Sequence, residues 1–140
     1  MASASALLDQ FVRTFDDSDF EAGERLAVLG SVSEEVGAGR RLSPQEGTEN
    51  AKAWKAAFPD AHGTIENRIV AGNPAAGEVV WTGTTTGVFH GMPPTGNSVR
   101  IRAVVTLREE GGKIAFLRHY LDIVGMLTQL GMLPSAPSGA

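Results

Sequence analysis

From Ser98 to Leu107 the chain reads SVRIRAVVTL. Val99, Ile101, Ala103, Val105 and Leu107 are all apolar, while Arg100, Arg102 and Thr106 share the other side with Val104. Strict alternation marks a strand with one face against a core. The residues after the EGGK turn continue the pattern in a hairpin, with Ala115, Leu117, His119 and Leu121 as the matching inward face. Arg118, Tyr120 and Asp122 then point outward, near Arg100 and Arg102. A bulge between 118 and 122 would exchange the two faces, because one residue of slip inverts every side chain. In the register as read, a single histidine interrupts an apolar surface. Burial disfavours a charged ring, so His119 is expected to be neutral near neutral pH unless a carboxylate compensates. Such an imidazole can act as general base or acid on a carbon acid or a hydroxyl. The alternative is a buried histidine satisfied by hydrogen bonds alone.

The segments TIENRIVAG and GEVVWTGTTTGVF precede this hairpin, and turn sequences (GNPAAG, GMPPTGN) separate them. Consecutive strands with short connections predict an antiparallel sheet. Ahead of it lie helical patterns. Leu7, Leu8, Phe11, Val12 and Phe15 recur at helical spacing from Ser5 to Phe15, and a second short helix is expected over roughly 19 to 29, ending near Gly30. GSVSEEVGAGRR then reads as loop with a possible short strand. A third helix starts at Ser43, with Pro44 at the first helical position and Glu46 completing a capping box, and Pro59 ends it. Within it Asn50, Trp54 and Ala57 share a face, so Asn50 is a candidate pocket lining or an amide tying the helix to a loop. Helices first and strands afterwards predict an α+β fold with the helices covering one face of the sheet.

With 140 residues, 42% of them hydrophobic and 20% charged, the chain fits one domain over 1–133, and the small-residue tail 134–140 is expected to be disordered. A net charge of -4 with scattered Lys and Arg gives no footprint for nucleic acid or an anionic membrane. No stretch has the ~18 to 20 apolar residues of a membrane span, and the opening MASASALLDQF has no basic leader, so the expected location is the cytoplasm. Without cysteine there is no disulfide or thiolate chemistry. His62, His90 and His119 are scattered without carboxylates at ligand spacing, so no metal is expected. His90, in FHGMPPTG, reads as a loop residue at the sheet's rim, and His62 as surface.

TGTTTGVFHGMPPTGNSV followed by GGKIAFLRHYLDIVGMLTQLG, together with AFPDAH, resembles the SnoaL-like polyketide cyclase family over most of residues 45–133. The resemblance implies a nuclear transport factor 2-like fold: a cone of curved, mostly antiparallel sheet wrapped around N-terminal helices, with a deep apolar pocket. It also implies a homodimer that works without a cofactor. Cyclases of that family closing a ring by aldol condensation carry an aspartate two residues before the position of Leu121, where this chain has His119. Asn50 matches a helix asparagine of the cyclase pocket, Phe15 stands in place of a pocket tyrosine, and Thr85 in place of a strand histidine. Epoxide hydrolases of the same fold use an aspartate, arginine, aspartate set that would fall near Val80, Thr82 and His119, and none of these residues is retained.

The reading is therefore a cofactor-independent cyclase acting on a small polyketide-like or similarly apolar substrate, with His119 as proton relay and Asn50 holding a substrate oxygen. Phe15, Trp54, Trp81, Thr82, Leu117 and Met126 are the expected substrate contacts, since core and pocket wall are one surface in this fold. Aldol closure, oxygen-heterocycle formation and cycloaddition are all open. A non-catalytic carrier of an apolar molecule, an isomerase or hydrolase of the same fold, and a dimerisation module are the alternatives.

Overall fold

The computed structural model describes residues 1–133, so the expected disordered tail at 134–140 lies outside the described residues. Helix α1 (Ala4–Asp16) starts where the Ser3 hydroxyl accepts from the Ala6 N–H. It buries Leu7, Leu8 and Val12, as the helical spacing predicts. These residues pack with Val79, Val105, Leu107, Ile114 and Leu117 of the sheet into a first core cluster. Each fully buried leucine there contributes about 1.5 to 3 kcal/mol of apolar burial. Helix α2 (Phe20–Arg25) follows, capped by Asp19.

The chain then departs from expectation. The predicted helix over 19–29 stops at Arg25, and strand β1 (Ala27–Glu35), in the interior of the sheet, takes in both the end of that expected helix and the start of the segment read as loop with a possible short strand. The Leu26 carbonyl accepts from the Ile114 N–H at 2.7 Å, which carries the chain out of the helix and into the sheet. A short turn leads to β2 (Arg40–Leu42) and then to α3 (Pro44–Ala57). The capping box of α3 is formed in both directions: Glu46 N–H to the Ser43 hydroxyl at 3.2 Å, and Ser43 N–H to the Glu46 carboxylate at 3.0 Å. Strands β3 (His62–Val70), β4 (Ala75–Thr84), β5 (Ser98–Glu110) and β6 (Lys113–Leu121) form the expected antiparallel run, and α4 (Ile123–Gln129) closes the described chain. The sheet order is β2-β1-β6-β5-β4-β3, with β1 parallel to β6 and every other pair antiparallel.

The inward face of β5 is the predicted one, with Val99, Ile101, Ala103, Val105 and Leu107 all buried. On β6, Leu117 and His119 are buried beside it. One detail differs: Arg108 pairs with Phe116 and Glu109 with Ile114, so Ala115 is an unpaired extra residue. This bulge puts Ile114 rather than Ala115 among the buried residues, and it lies upstream of 118, leaving His119 inward. Arg118 lies outward over the Phe116 ring and pairs with Glu34 at 3.1 Å. Asp122 caps α4 through the Gly125 N–H.

Beyond Leu121, β6 no longer flanks β5. The Gln129 side chain takes its place, accepting from the Arg100 N–H at 2.7 Å and donating to the Arg100 carbonyl at 3.0 Å. Here α4 contributes Met126 to a second core cluster with Phe58, Phe89, Val99, Ile101 and Leu130. Among the described residues no helix is long and apolar enough to cross a membrane.

Candidate active site

Members of both clusters line a partly open cavity of about 200 Å³ bounded by α1, α2, α3 and the inner face of the sheet. Its wall is mostly apolar: Phe11 and Phe15 from α1, Trp54 from α3, and Trp81, Ile101, Leu117 and Leu121 from the sheet. Phe15 meets Trp81 edge to face at 5.2 Å between ring centres, a preferred aromatic geometry. The Lys55 ammonium supports the end of α1, donating to the carbonyls of Phe15, Asp16 and Ala61 at 2.8 to 3.1 Å.

A short polar chain crosses this wall. The Trp81 indole N–H donates to His119 Nε2 at 3.1 Å, and His119 Nδ1 lies 2.9 Å from Glu35 Oε2. The imidazole side chain is only 11% exposed. It owes this position to the alternation of β6, Trp81 to that of β4, and Glu35 to the parallel pairing of β1, which sets Glu35 directly beside His119. Ser33 and Ser31, two and four residues before Glu35 on β1, also line the cavity. Glu34, between Ser33 and Glu35, turns outward to Arg118.

Of the residues singled out from the sequence, His119, Phe15, Trp54, Trp81, Thr82 and Leu117 lie on this cavity. Asn50 and Met126 do not. They line a second cavity of about 180 Å³ with Arg40, Phe89 and His90, and that cavity shares Glu35 and Trp54 with the first. The Asn50 amide oxygen is 3.5 Å from the Arg40 guanidinium. Thr85 is buried and donates to the Asn97 carbonyl at 3.0 Å, holding the β4–β5 connection instead of facing the main cavity. His62 is largely exposed and pairs with Asp16 at 2.7 Å. Among the described residues no group of three or more His, Asp or Glu side chains is placed to hold a metal ion.

Glu35 is the functional candidate that sequence reasoning missed. A signal existed: adjacent glutamates on any strand must point to opposite faces, so one of Glu34 and Glu35 had to face inward once β1 was known to be a strand.

Solved structures of the same architecture are numerous. AclR, a proposed hydroxylase from Streptomyces galilaeus, superposes with a TM-score of 0.84 at 23% identity, over 96% of this chain and 89% of that one. IdmH, a proposed polyketide cyclase from Streptomyces antibioticus, gives 0.81 at 25% identity, over 91% of this chain and 98% of that one. TsrD from Streptomyces laurentii gives 0.78 at 20% identity, over 91% and 93%. No curated protein sequence matches the chain. The family model for SnoaL-like polyketide cyclases matches residues 6–130, from the first turn of α1 to the end of α4. A helix-lidded curved sheet around an apolar hollow, with an ionisable group in place two residues before Leu121, thus comes with a family match over nearly the whole fold, and the chain belongs to the SnoaL-like polyketide cyclases.

Proposed function

We propose that the protein is a cofactor-independent cyclase that encloses a polyketide-like or similarly apolar intermediate and closes a ring in it. The observation that carries this reading is the pair of buried His119 and half-buried Glu35 on the wall of a mostly apolar cavity. A carboxylate and an imidazole in hydrogen-bond contact can take a proton from a carbon next to a carbonyl and return it to the oxygen that becomes an alkoxide. The aromatic wall of Phe15, Trp54 and Trp81 would hold the two reacting ends together, and orientation alone can lower a barrier by several kcal/mol. Asn50 would bind an oxygen of a substrate that extends past Trp54 into the second cavity. The same reading includes a homodimer through the outer face of the sheet, where Tyr120 is 42% exposed. Sedimentation of the purified chain tests that part.

The catalytic part is tested by incubating the protein with linear and partly cyclised aromatic poly-β-ketones and following product mass. A cyclised isomer, or a cyclised product lacking one water, is expected. His119→Ala, checked for fold by circular dichroism, should lower kcat by about 10²-fold or more. Saturable binding of a ketone that stays unchanged on long incubation would replace this reading with that of a carrier.

A further inference from the structure

The polar chain on the cavity wall has a direction. An indole N–H only donates, so its contact with His119 uses the lone pair on Nε2. The ring proton of a neutral imidazole must then sit on Nδ1, where it donates to Glu35 Oε2. Held this way, neither ring nitrogen has a lone pair left for a substrate proton. Glu35 does have acceptor capacity left. Its Oε1 takes no hydrogen bond from the described residues, and its side chain lines both cavities.

We propose that Glu35 is the catalytic base of this site, with His119 a positioning residue that donates from Nδ1 to orient the carboxylate, and Trp81 the group that selects that tautomer. The assignment rests on the cyclase reading for its chemistry, though not for its geometry. Glu35 Oε1 takes the proton as the C–H bond next to a substrate carbonyl breaks. The resulting enolate carbon bonds to a second carbonyl carbon, and the alkoxide formed there takes the proton back from Glu35. No electron acceptor is needed, and the carboxylate is regenerated. The other titratable groups on the two cavity walls are Asp19 and Glu24 around α2, Arg40 on β2, and His90.

Two measurements test the proposal. The first needs no substrate: nitrogen–proton correlation NMR of the His119 ring at neutral pH. A neutral Nδ1–H tautomer is expected in the native protein, with Trp81→Phe releasing the ring toward the Nε2–H form. An Nε2–H or doubly protonated ring in the native protein overturns the proposal. The second uses any poly-β-ketone that the native protein converts. Glu35→Gln should lose about 10²-fold or more in kcat. His119→Asn, whose amide N–H can replace the Nδ1 donor, should stay within about 10-fold of native and well above His119→Ala. Equal loss in the Asn and Ala variants, with turnover kept in Glu35→Gln, would return the base role to the imidazole. Failure of the native protein to convert any ketone would count against the cyclase reading, while the NMR result would still decide the tautomer.

Discussion

The β5–β6 hairpin and strand β1 each contribute one half of the His119–Glu35 pair, and they are built on opposite rules. The hairpin alternates apolar and polar residues, joins its strands through a turn at Gly111 and Gly112, and puts its apolar side inward. Its fold follows from neighbours in sequence. In β1 the pattern is mixed: Ser31, Ser33 and Glu35 line the cavity along with Ala27 and Val32, while Leu29 is 103% exposed. Its partner β6 lies more than 80 residues away, and the ladder between Ala27 and Val32 is broken around Gly30, whose φ is +80°. The comparison teaches that a pocket strand can hide among loops because the residues it turns inward are the ones the pocket needs polar.

Four changes would break or sharpen this contrast. The largest effect belongs to the hairpin. Leu107→Ala removes a side chain that is 0% exposed in the first cluster, and urea unfolding should show a loss of about 2 to 5 kcal/mol. A loss below 1 kcal/mol would deny that this face is the core.

In β1 the corresponding weak point is backbone. Gly30 has open space where a Cβ would go, so Gly30→Ala should cost only its left-handed conformation, about 1 to 2 kcal/mol, in the same unfolding assay. No cost at all would mean that the break in the ladder is not held at this φ.

A smaller, pH-dependent effect is expected at Asp60. Bonds from the Thr84 N–H and hydroxyl hold its carboxyl below the usual aspartate range, chiefly through the backbone donor. A folded-state value below the unfolded one gives stability that is complete above the usual range and lost as pH falls through the folded value. Asp60→Asn should therefore flatten the acid limb of thermal stability against pH while leaving the curve's shape near neutrality unchanged. An acid limb identical to that of the native protein would show that these bonds do not act on the ionised form.

Smallest of all is Leu29→Ser, on the outward side of β1, which should change stability by no more than about 0.5 kcal/mol. A larger loss in dilute solution would show that Leu29 is covered there.

How much was legible varied with the range of the interactions. Ser43 and Glu46 announced the start of α3 because a capping box is closed within four residues. His119 was placed inward because alternation in a hairpin is local. The bulge at Ala115 was not visible, since nothing in GKIAFLRHYLD distinguishes a skipped pairing from a continuous one. Asn50 was correctly put on the face of Trp54. Which hollow that face meets depends on how α3 lies against β1 and α4, and Trp54 proved to border both cavities.

By itself the sequence determined α1, α3, the four-strand antiparallel run and the inward histidine, because caps, turns and two-residue periodicity act over a few residues. Only the tertiary structure decided which groups that histidine meets. The parallel pairing of β1 brings Glu35 to Nδ1, and the return of β4 brings the Trp81 N–H to Nε2. Both contacts join residues far apart in the chain, and the side chains that make them read, one by one, as a surface acid and a core aromatic.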